Sequence, residues 1–253
     1  MSTIDLVAAF SIGITSARSG DWKRGVAANV AARLAADGVP GVAVVDADPS
    51  GRDVGARLGR ASRGRIEWPD LFVVPAPAAL TVAEARARVA VAVHDHNVVV
   101  VDLPRGAGAP GPALDCGLVD DLDRLVVMTD LSTDALRATA RWAELVAVAR
   151  RRGHIGRRVE IVAAICGERF AVDDLAERAV ERVAATVGLP VVASVPQWWG
   201  RTPPNHGFGP TLGFAMLDEA LRDVSGYGAN RSHAVSASGQ SRAAIHGAVA
   251  SVK

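Results

Sequence analysis

Four consecutive valines, at positions 98–101, are followed directly by Asp102. An unbroken run of β-branched residues is typical of a strand that is buried on both faces, as in the middle of a parallel sheet. Asp102 then stands at the carboxyl end of that strand, the edge of an open α/β sheet where ligands bind. The run therefore predicts a central parallel strand with a carboxylate at its tip.

The same arrangement occurs earlier in the chain, where the short apolar run 42–45 leads into Asp46-Ala47-Asp48-Pro49-Ser50-Gly51. Two carboxylates at a strand end suit magnesium binding or the positioning of water. The alternative is a solvated turn that caps the helix after Pro49, since this sequence is also good turn chemistry. Spacing alone leaves these two interpretations equal. Because the arrangement occurs twice, we favour a magnesium-site role for Asp102 over a simple strand-ending residue.

Strand-like and helix-like segments alternate along most of the chain. Further strands are predicted at 6–15, 71–74, 125–128, 159–165 and 191–195, and helices at 24–37, 81–93, 133–151, 172–187 and 211–224. Such alternation indicates right-handed parallel crossovers. The predicted fold class is α/β, with a mostly parallel central sheet and helices on both faces in three layers.

Two helices carry more detailed predictions. Thr81 and Glu84 have the spacing of a capping box, which predicts a helix start at that point. In the helix 133–151, the apolar residues expected to form one buried face are Leu136, Ala140, Leu145 and Val148.

Composition limits the classes of protein to which the chain can belong. Its 253 residues, 49% hydrophobic and 22% charged, suit one globular domain, which we place at 1–224. The Ser/Ala/Gly-rich segment 225–253 is predicted to be a disordered tail. A net charge of +1 provides no global field for nucleic acid or anionic lipid.

Cysteine usage and the N-terminal sequence indicate location. Cys116 and Cys166 lie far apart without metal-site spacing, which favours free thiols in a reducing cytoplasm. The N-terminal apolar run lacks a basic start and the length of a membrane span, so we expect a first strand and a cytoplasmic protein.

A polar turn containing Gly20 leads from the first strand to the first helix. A phosphate-binding loop needs small residues, a lysine and a hydroxyl that ligates magnesium. Lys23 has the position of the lysine, but Ala17, Trp22 and Arg24 replace the two glycines and the hydroxyl residue of G-x-x-x-x-G-K-[ST]. Judged on this segment alone, Lys23 is more readily interpreted as a solvated surface lysine.

The order of the three motifs resembles the deviant-Walker P-loop ATPases of the ParA/MinD family. That family has K-G-G-x-G-K-[ST] after the first strand, D-x-D-P-x-G after the second and D-x-P-x-G after a later one. The corresponding segments here are RSGDWKR at 18–24, DADPSG at 46–51 and DLPRG at 102–106. The similarity extends loosely over residues 6–224.

The resemblance implies ATP and Mg²⁺ as cofactors and a homodimer as the working form. It places Lys23 on the β- and γ-phosphates, Asp48 on the attacking water, and Asp46 and Asp102 at magnesium. Arg18 falls at the signature lysine that reaches across the dimer to the partner's nucleotide. The nucleotide-binding loop would comprise Arg18, Ser19, Gly20, Asp21, Trp22, Lys23, Arg24 and Gly25.

Three departures from the family pattern act against nucleotide binding. Trp22 brings a bulky side chain where the backbone should curl around phosphate. Arg24 removes a magnesium ligand and adds a cation beside the metal site, and no asparagine follows the strand 159–165 to recognise adenine. We interpret the chain as a ParA/MinD-like protein with reduced, altered or lost ATPase activity. Arg24 has one favourable alternative, direct contact with phosphate in place of part of the metal's role.

The leading hypothesis is a nucleotide-binding protein of weak or impaired ATPase activity that acts in intracellular positioning or recruits a protein partner. The alternative is a non-hydrolysing pseudo-ATPase scaffold for a secretion, pilus or division apparatus. A third is a DNA-partition ATPase that uses the basic cluster Arg150, Arg151, Arg152, Arg157 and Arg158. For that cluster we favour a solvated helix end that complements the helix dipole.

Overall fold

The computed structural model describes residues 9–18, 22–36, 39–48, 54–55, 58, 71–74, 81–105, 118–156, 158–167 and 174–196. The strands are β1 (Phe10–Ser16), β2 (Val42–Asp46), β3 (Leu71–Val74), β4 (Val98–Asp102), β5 (Arg124–Asp130), β6 (Glu160–Gly167) and β7 (Val191–Pro196). The helices are α1 (Trp22–Ala36), α2 (Val82–Asp95), α3 (Thr133–Arg151) and α4 (Asp174–Val187).

The strands form one seven-stranded sheet in the order β3-β2-β4-β1-β5-β6-β7. Every pair of neighbouring strands is parallel. The predicted α/β class with a parallel central sheet is confirmed. Strands β4 and β1 lie in the middle of the sheet, as the valine run at 98–101 predicts.

Alternating valines of β4 face two separate cores. Val98 and Val100 pack in one core with α1, whereas Val99 and Val101 pack in the other with residues of α2, α3 and α4. Because side chains alternate along a strand, a run of valines supplies apolar groups to both faces at once. Helices therefore cover both faces of the sheet, in three layers.

The two helix predictions have different outcomes. The Thr81 hydroxyl accepts from Glu84 N, and the Glu84 carboxylate accepts from Thr81 N at 2.8 Å, which confirms the capping box. The predicted buried face of α3 is wrong, because its buried residues are Ala135, Thr139, Trp142 and Val146. These are spaced by three or four residues around Trp142, whose large ring takes the position that faces the sheet. The residues of the predicted face are only half-buried: Leu136, Ala140, Leu145 and Val148.

Several predictions fall outside the described residues. They concern the helix 211–224, the tail 225–253, the domain boundary between them, and Cys116. Cys166 is buried, as expected. None of the described helices is both long and apolar enough to span a bilayer.

Candidate functional site

The carboxyl ends of β2 and β4 lie side by side. Asp46 and Asp102 are register partners on these neighbouring strands, and Ala47 N donates to Asp102 O at 3.0 Å just beyond them. Leu103 N donates to Ile14 O at 3.0 Å, so the end of β4 is also joined to β1. Helix α1 begins beyond the end of β1, at the same edge of the sheet. This topology brings the three sequence motifs to one place.

Lys23 lies in the first turn of α1 and contacts two of the predicted aspartates. Its Nζ donates to Asp48 Oδ2 at 2.8 Å and to Asp102 Oδ1 at 2.6 Å. The lysine is only 2% exposed and Asp102 is fully buried. The interpretation of Lys23 as a solvated surface lysine is therefore wrong.

Arg24 binds the same two carboxylates. Its Nη2 donates to Asp48 Oδ2 at 2.8 Å, and its Nε lies 3.2 Å from Asp102 Oδ2. The second contact is an ion pair and not a hydrogen bond. Two cations and two carboxylates, all buried, thus balance one another. We call Lys23, Arg24, Asp48 and Asp102 the ion cluster.

Asp46 lies beside the ion cluster and accepts hydrogen bonds from backbone N–H groups. Its Oδ1 accepts from Asp48 N at 3.1 Å, and its Oδ2 accepts from Val54 N at 3.0 Å. Asp46 thus binds main-chain donors of Asp48 and Val54, whereas the predicted turn and helix start after Pro49 lie outside the described residues. The solvated part of the turn-and-cap interpretation is wrong, because Asp46 and Asp48 are both buried.

Burial dominates the electrostatics of the acidic groups. Desolvation raises the pKa of Asp102 to about 6, although the charge and hydrogen bond of Lys23 oppose the rise. Desolvation also raises the pKa of Asp46, opposed by its backbone hydrogen bonds and by the charge of Arg24. With a pKa of about 6, Asp102 is mostly ionised at neutral pH, in agreement with its contacts to two cations.

The described residues do not fit a bound Mg²⁺ in this arrangement. Protein donors already engage both oxygens of Asp46 and Oδ2 of Asp48, and cations contact both oxygens of Asp102. A divalent ion about 4 Å from either buried cation would be repelled by on the order of 8 kcal/mol at an effective dielectric constant of about 20. Within the described ranges, no group of three potential ligand residues is placed to hold a metal. The ligand roles of Asp46 and Asp102 stay predictions from the sequence.

The rest of the predicted nucleotide-binding loop is described only in part. Trp22 and Gly25 lie in α1, and Gly25 O accepts from Asn29 Nδ2 at 2.7 Å. Arg18 is exposed, with Nη1 3.8 Å from Asp134 Oδ2. Ser19, Gly20 and Asp21 lie outside the described residues. A nucleotide-binding role for residues 18–25 is still a prediction.

The basic cluster at 150–158 lies at and beyond the end of α3. Arg151, Arg152 and Arg158 are exposed, Arg150 is half-buried, and Arg157 is outside the described residues. Cations at this end of a helix complement its dipole. The exposure of Arg151, Arg152 and Arg158 agrees with the solvated helix end, whereas that of Arg150 does not. Nucleic-acid binding stays a prediction.

The sequence analysis did not predict that Arg24 pairs with Asp48 and Asp102. It predicted that Arg24 either repels a metal ion or contacts phosphate. One signal for the pairing exists. Arg24 follows Lys23 directly, at the start of a helix that is predicted to begin beside two strands with carboxylates at their tips. Several carboxylates buried together are stable only if enough cations neutralise them, which predicts a second cation at this place.

Comparison with solved structures bears on the fold. A ParA family ATPase from Chlorobium tepidum TLS superposes with a TM-score of 0.59 at 19% identity, covering 85% of this chain and 99% of that one. The chain has the ParA/MinD-like fold. For MinD in the MinC:MinD cell division protein complex of Aquifex aeolicus the TM-score is 0.54 at 18% identity, over 77% and 87% of the two chains. For an ATP complex of a McdA variant from Cyanothece the TM-score is 0.56 at 14% identity, covering 85% of this chain and 96% of that one.

The likeness to ParA and MinD is one of structure. A scan against models of protein families and a search among curated proteins found no match. At identities below a fifth, the shared ParA/MinD-like fold carries no information about activity by itself. The function must be argued from the ion cluster.

Proposed function

We propose that this ParA/MinD-like protein acts in intracellular positioning by recruiting a protein partner, and that it has lost ATPase activity. The observation that carries the proposal is the ion cluster, in which Lys23 is held by two buried carboxylates. A phosphate that binds Lys23 would have to displace these carboxylates.

Nucleotide binding would have to break contacts that are costly to break. Removing one partner from a buried ion pair leaves an uncompensated charge, at about 3–5 kcal/mol. Asp48 Oδ2 accepts from both Lys23 and Arg24, so the group expected to orient the attacking water is bound as well. Lys23 and Asp48, the two predicted catalytic residues, are thus both bound by the protein's own side chains.

Partner recruitment is supported by the structural neighbours. One is MinD in a complex with MinC, and others are ParA family and plasmid partition proteins. For this chain we propose a cytoplasmic homodimer that binds a protein partner. A scaffold for a secretion, pilus or division apparatus is the form of this function that needs no hydrolysis.

The test is a calorimetric titration of the full chain with ATP, with and without Mg²⁺, together with a phosphate-release assay. We expect no metal-dependent uptake at millimolar ATP and no phosphate release above a protein-free blank. The double variant Trp22→Gly with Arg24→Thr should gain Mg²⁺-dependent ATP affinity. Tight, metal-dependent uptake by the wild-type protein would contradict the proposal.

A second candidate is an ATP-binding protein that hydrolyses slowly. It is favoured by the convergence of Lys23, Asp48 and Asp102 at the carboxyl edge of the sheet, where nucleotides bind in α/β folds. In this case ATP would displace the carboxylates from Lys23, and the same titration would give uptake by the wild-type protein. DNA partition, the third hypothesis, predicts DNA binding that is lost when Arg150, Arg151 and Arg152 are neutralised.

A further inference from the structure

We infer that Arg24 is a built-in cation that takes the place of a divalent metal ion at this site, so that the site is complete without metal. The inference rests on the proposed function and deepens it, because it gives the reason why the site needs no metal. It concerns the metal alone and is testable without nucleotide.

The geometry of Arg24 is that of a bridge between two acidic groups. Its guanidinium contacts Asp48 Oδ2 with Nη2 at 2.8 Å and Asp102 Oδ2 with Nε at 3.2 Å. These carboxylates stand at the carboxyl ends of two neighbouring strands, β2 and β4, and would repel each other if no cation lay between them. Joining carboxylates from separate segments is what a divalent ion does in a protein, and a planar guanidinium has the shape to do it.

Charge balance points the same way. Without Arg24, Lys23 would face the buried carboxylates of Asp48 and Asp102 alone, with Asp46 close by. A buried excess of negative charge is unfavourable and attracts a cation from solution. With Arg24 present, the ion cluster is neutral, and a divalent ion would meet two fixed positive charges.

The position of Arg24 in the chain makes the replacement specific. In the sequence motif, residue 24 stands where a hydroxyl would ligate magnesium, in the first turn of α1. The side chain is buried, at 5% exposure, so the cation is enclosed at the site. The substitution thus removes a metal ligand and supplies a charge in the same place.

The experiment compares thermal unfolding of the full chain in metal-free buffer and in millimolar Mg²⁺, with no nucleotide present. The wild-type Tm should not change beyond the general salt effect, which a matched ionic strength of NaCl reports. Arg24→Gln keeps a polar side chain of similar reach but removes the charge, so its Tm should rise with Mg²⁺. Titration with Mn²⁺, followed by electron paramagnetic resonance, should give an affinity for Arg24→Gln on the order of 100-fold higher than for wild type.

Two control variants separate the loss of positive charge at position 24 from the general effect of a substitution. Arg24→Lys retains a cation and should behave as wild type towards Mg²⁺. Arg137→Gln changes an exposed arginine of α3 and should give no metal response. If Arg24→Gln does not fold in metal-free buffer, its refolding is measured with and without Mg²⁺: recovery on addition of the ion supports the inference, and no recovery overturns it.

Other outcomes overturn the inference directly. Wild-type protein that gains stability from Mg²⁺ or binds Mn²⁺ as tightly as Arg24→Gln would show that Arg24 does not replace the metal. A folded Arg24→Gln variant with no metal response would do the same. Metal binding by wild type without phosphate release from ATP would leave the proposed function standing. Phosphate release by a wild-type protein that binds no metal ion would reject the proposed function alone.

Discussion

Lys23 Nζ lies 2.6 Å from Asp102 Oδ1, although the two residues are 79 positions apart in the sequence. The contact joins the first turn of α1 to the end of β4 in a place closed to solvent. In this protein Lys23 is a structural ion-pair partner. Its removal should therefore change stability and not only ligand binding.

Lys23→Met should lower the free energy of unfolding by about 3–5 kcal/mol, because Asp102 and Asp48 lose a buried cation. Urea unfolding followed by circular dichroism measures the change. Arg86→Met is a matched control, since Arg86 pairs with Asp121 at the surface and should cost less than about 1 kcal/mol. Equal losses in the two variants would contradict a stabilising role of the buried contact.

Asp102 should make stability depend on pH in an unusual direction. Its folded pKa of about 6 lies above the ordinary 3.8, so the folded protein holds the proton more tightly than the unfolded chain. The contribution of this group to stability therefore falls as pH rises from about 4 to about 6 and is constant above that range. The full effect of two pKa units is about 3 kcal/mol.

Urea unfolding at a series of pH values tests this, with wild type compared with Asp102→Asn. Asp46 also has a raised pKa and contributes in the same direction in both proteins, so only the difference between them is informative. We expect the wild type to lose stability relative to the variant as pH rises through the window. Parallel pH profiles would contradict the raised pKa of Asp102.

Arg18→Ala should change the free energy of unfolding by less than about 1 kcal/mol, because its ion pair with Asp134 is long, at 3.8 Å, and exposed. If Arg18 reaches across a homodimer to the partner's nucleotide, as the family resemblance implies, the same variant should shift sedimentation velocity in the presence of ATP towards monomer. Arg137→Ala, another exposed arginine, is the control. An unchanged dimer fraction would remove the basis for that role.

Gly13→Ala should destabilise the protein by about 1–3 kcal/mol through overpacking. An added Cβ would meet Leu103 Cδ1 at 2.6 Å and would also clash with Leu122 Cδ1, both in a packed core. Gly156→Ala is a suitable control, since among the described residues a Cβ there meets only Asp120 Oδ1, at an ordinary 3.6 Å. Comparable melting temperatures for the two variants would contradict close packing at Gly13.

The sequence predicted the elements well where the signal is local. The helix 133–151 and the strand 71–74 have the predicted bounds, and the capping box at Thr81 is present. The buried face of α3 was not predicted correctly. Apolar character alone does not show that Trp142, together with the small residues Ala135 and Thr139, turns towards the sheet.

The sequence by itself determined the parallel α/β sheet and the edge at which its carboxylates stand. Valine runs fix burial on both faces, and the strand direction fixes the edge, so both follow from local pattern and backbone geometry. The tertiary structure alone decided that Arg24 pairs with Asp48 and Asp102. Those contacts depend on β4 lying between β2 and β1, and on the loss of solvent around four charges, neither of which is encoded in any one segment.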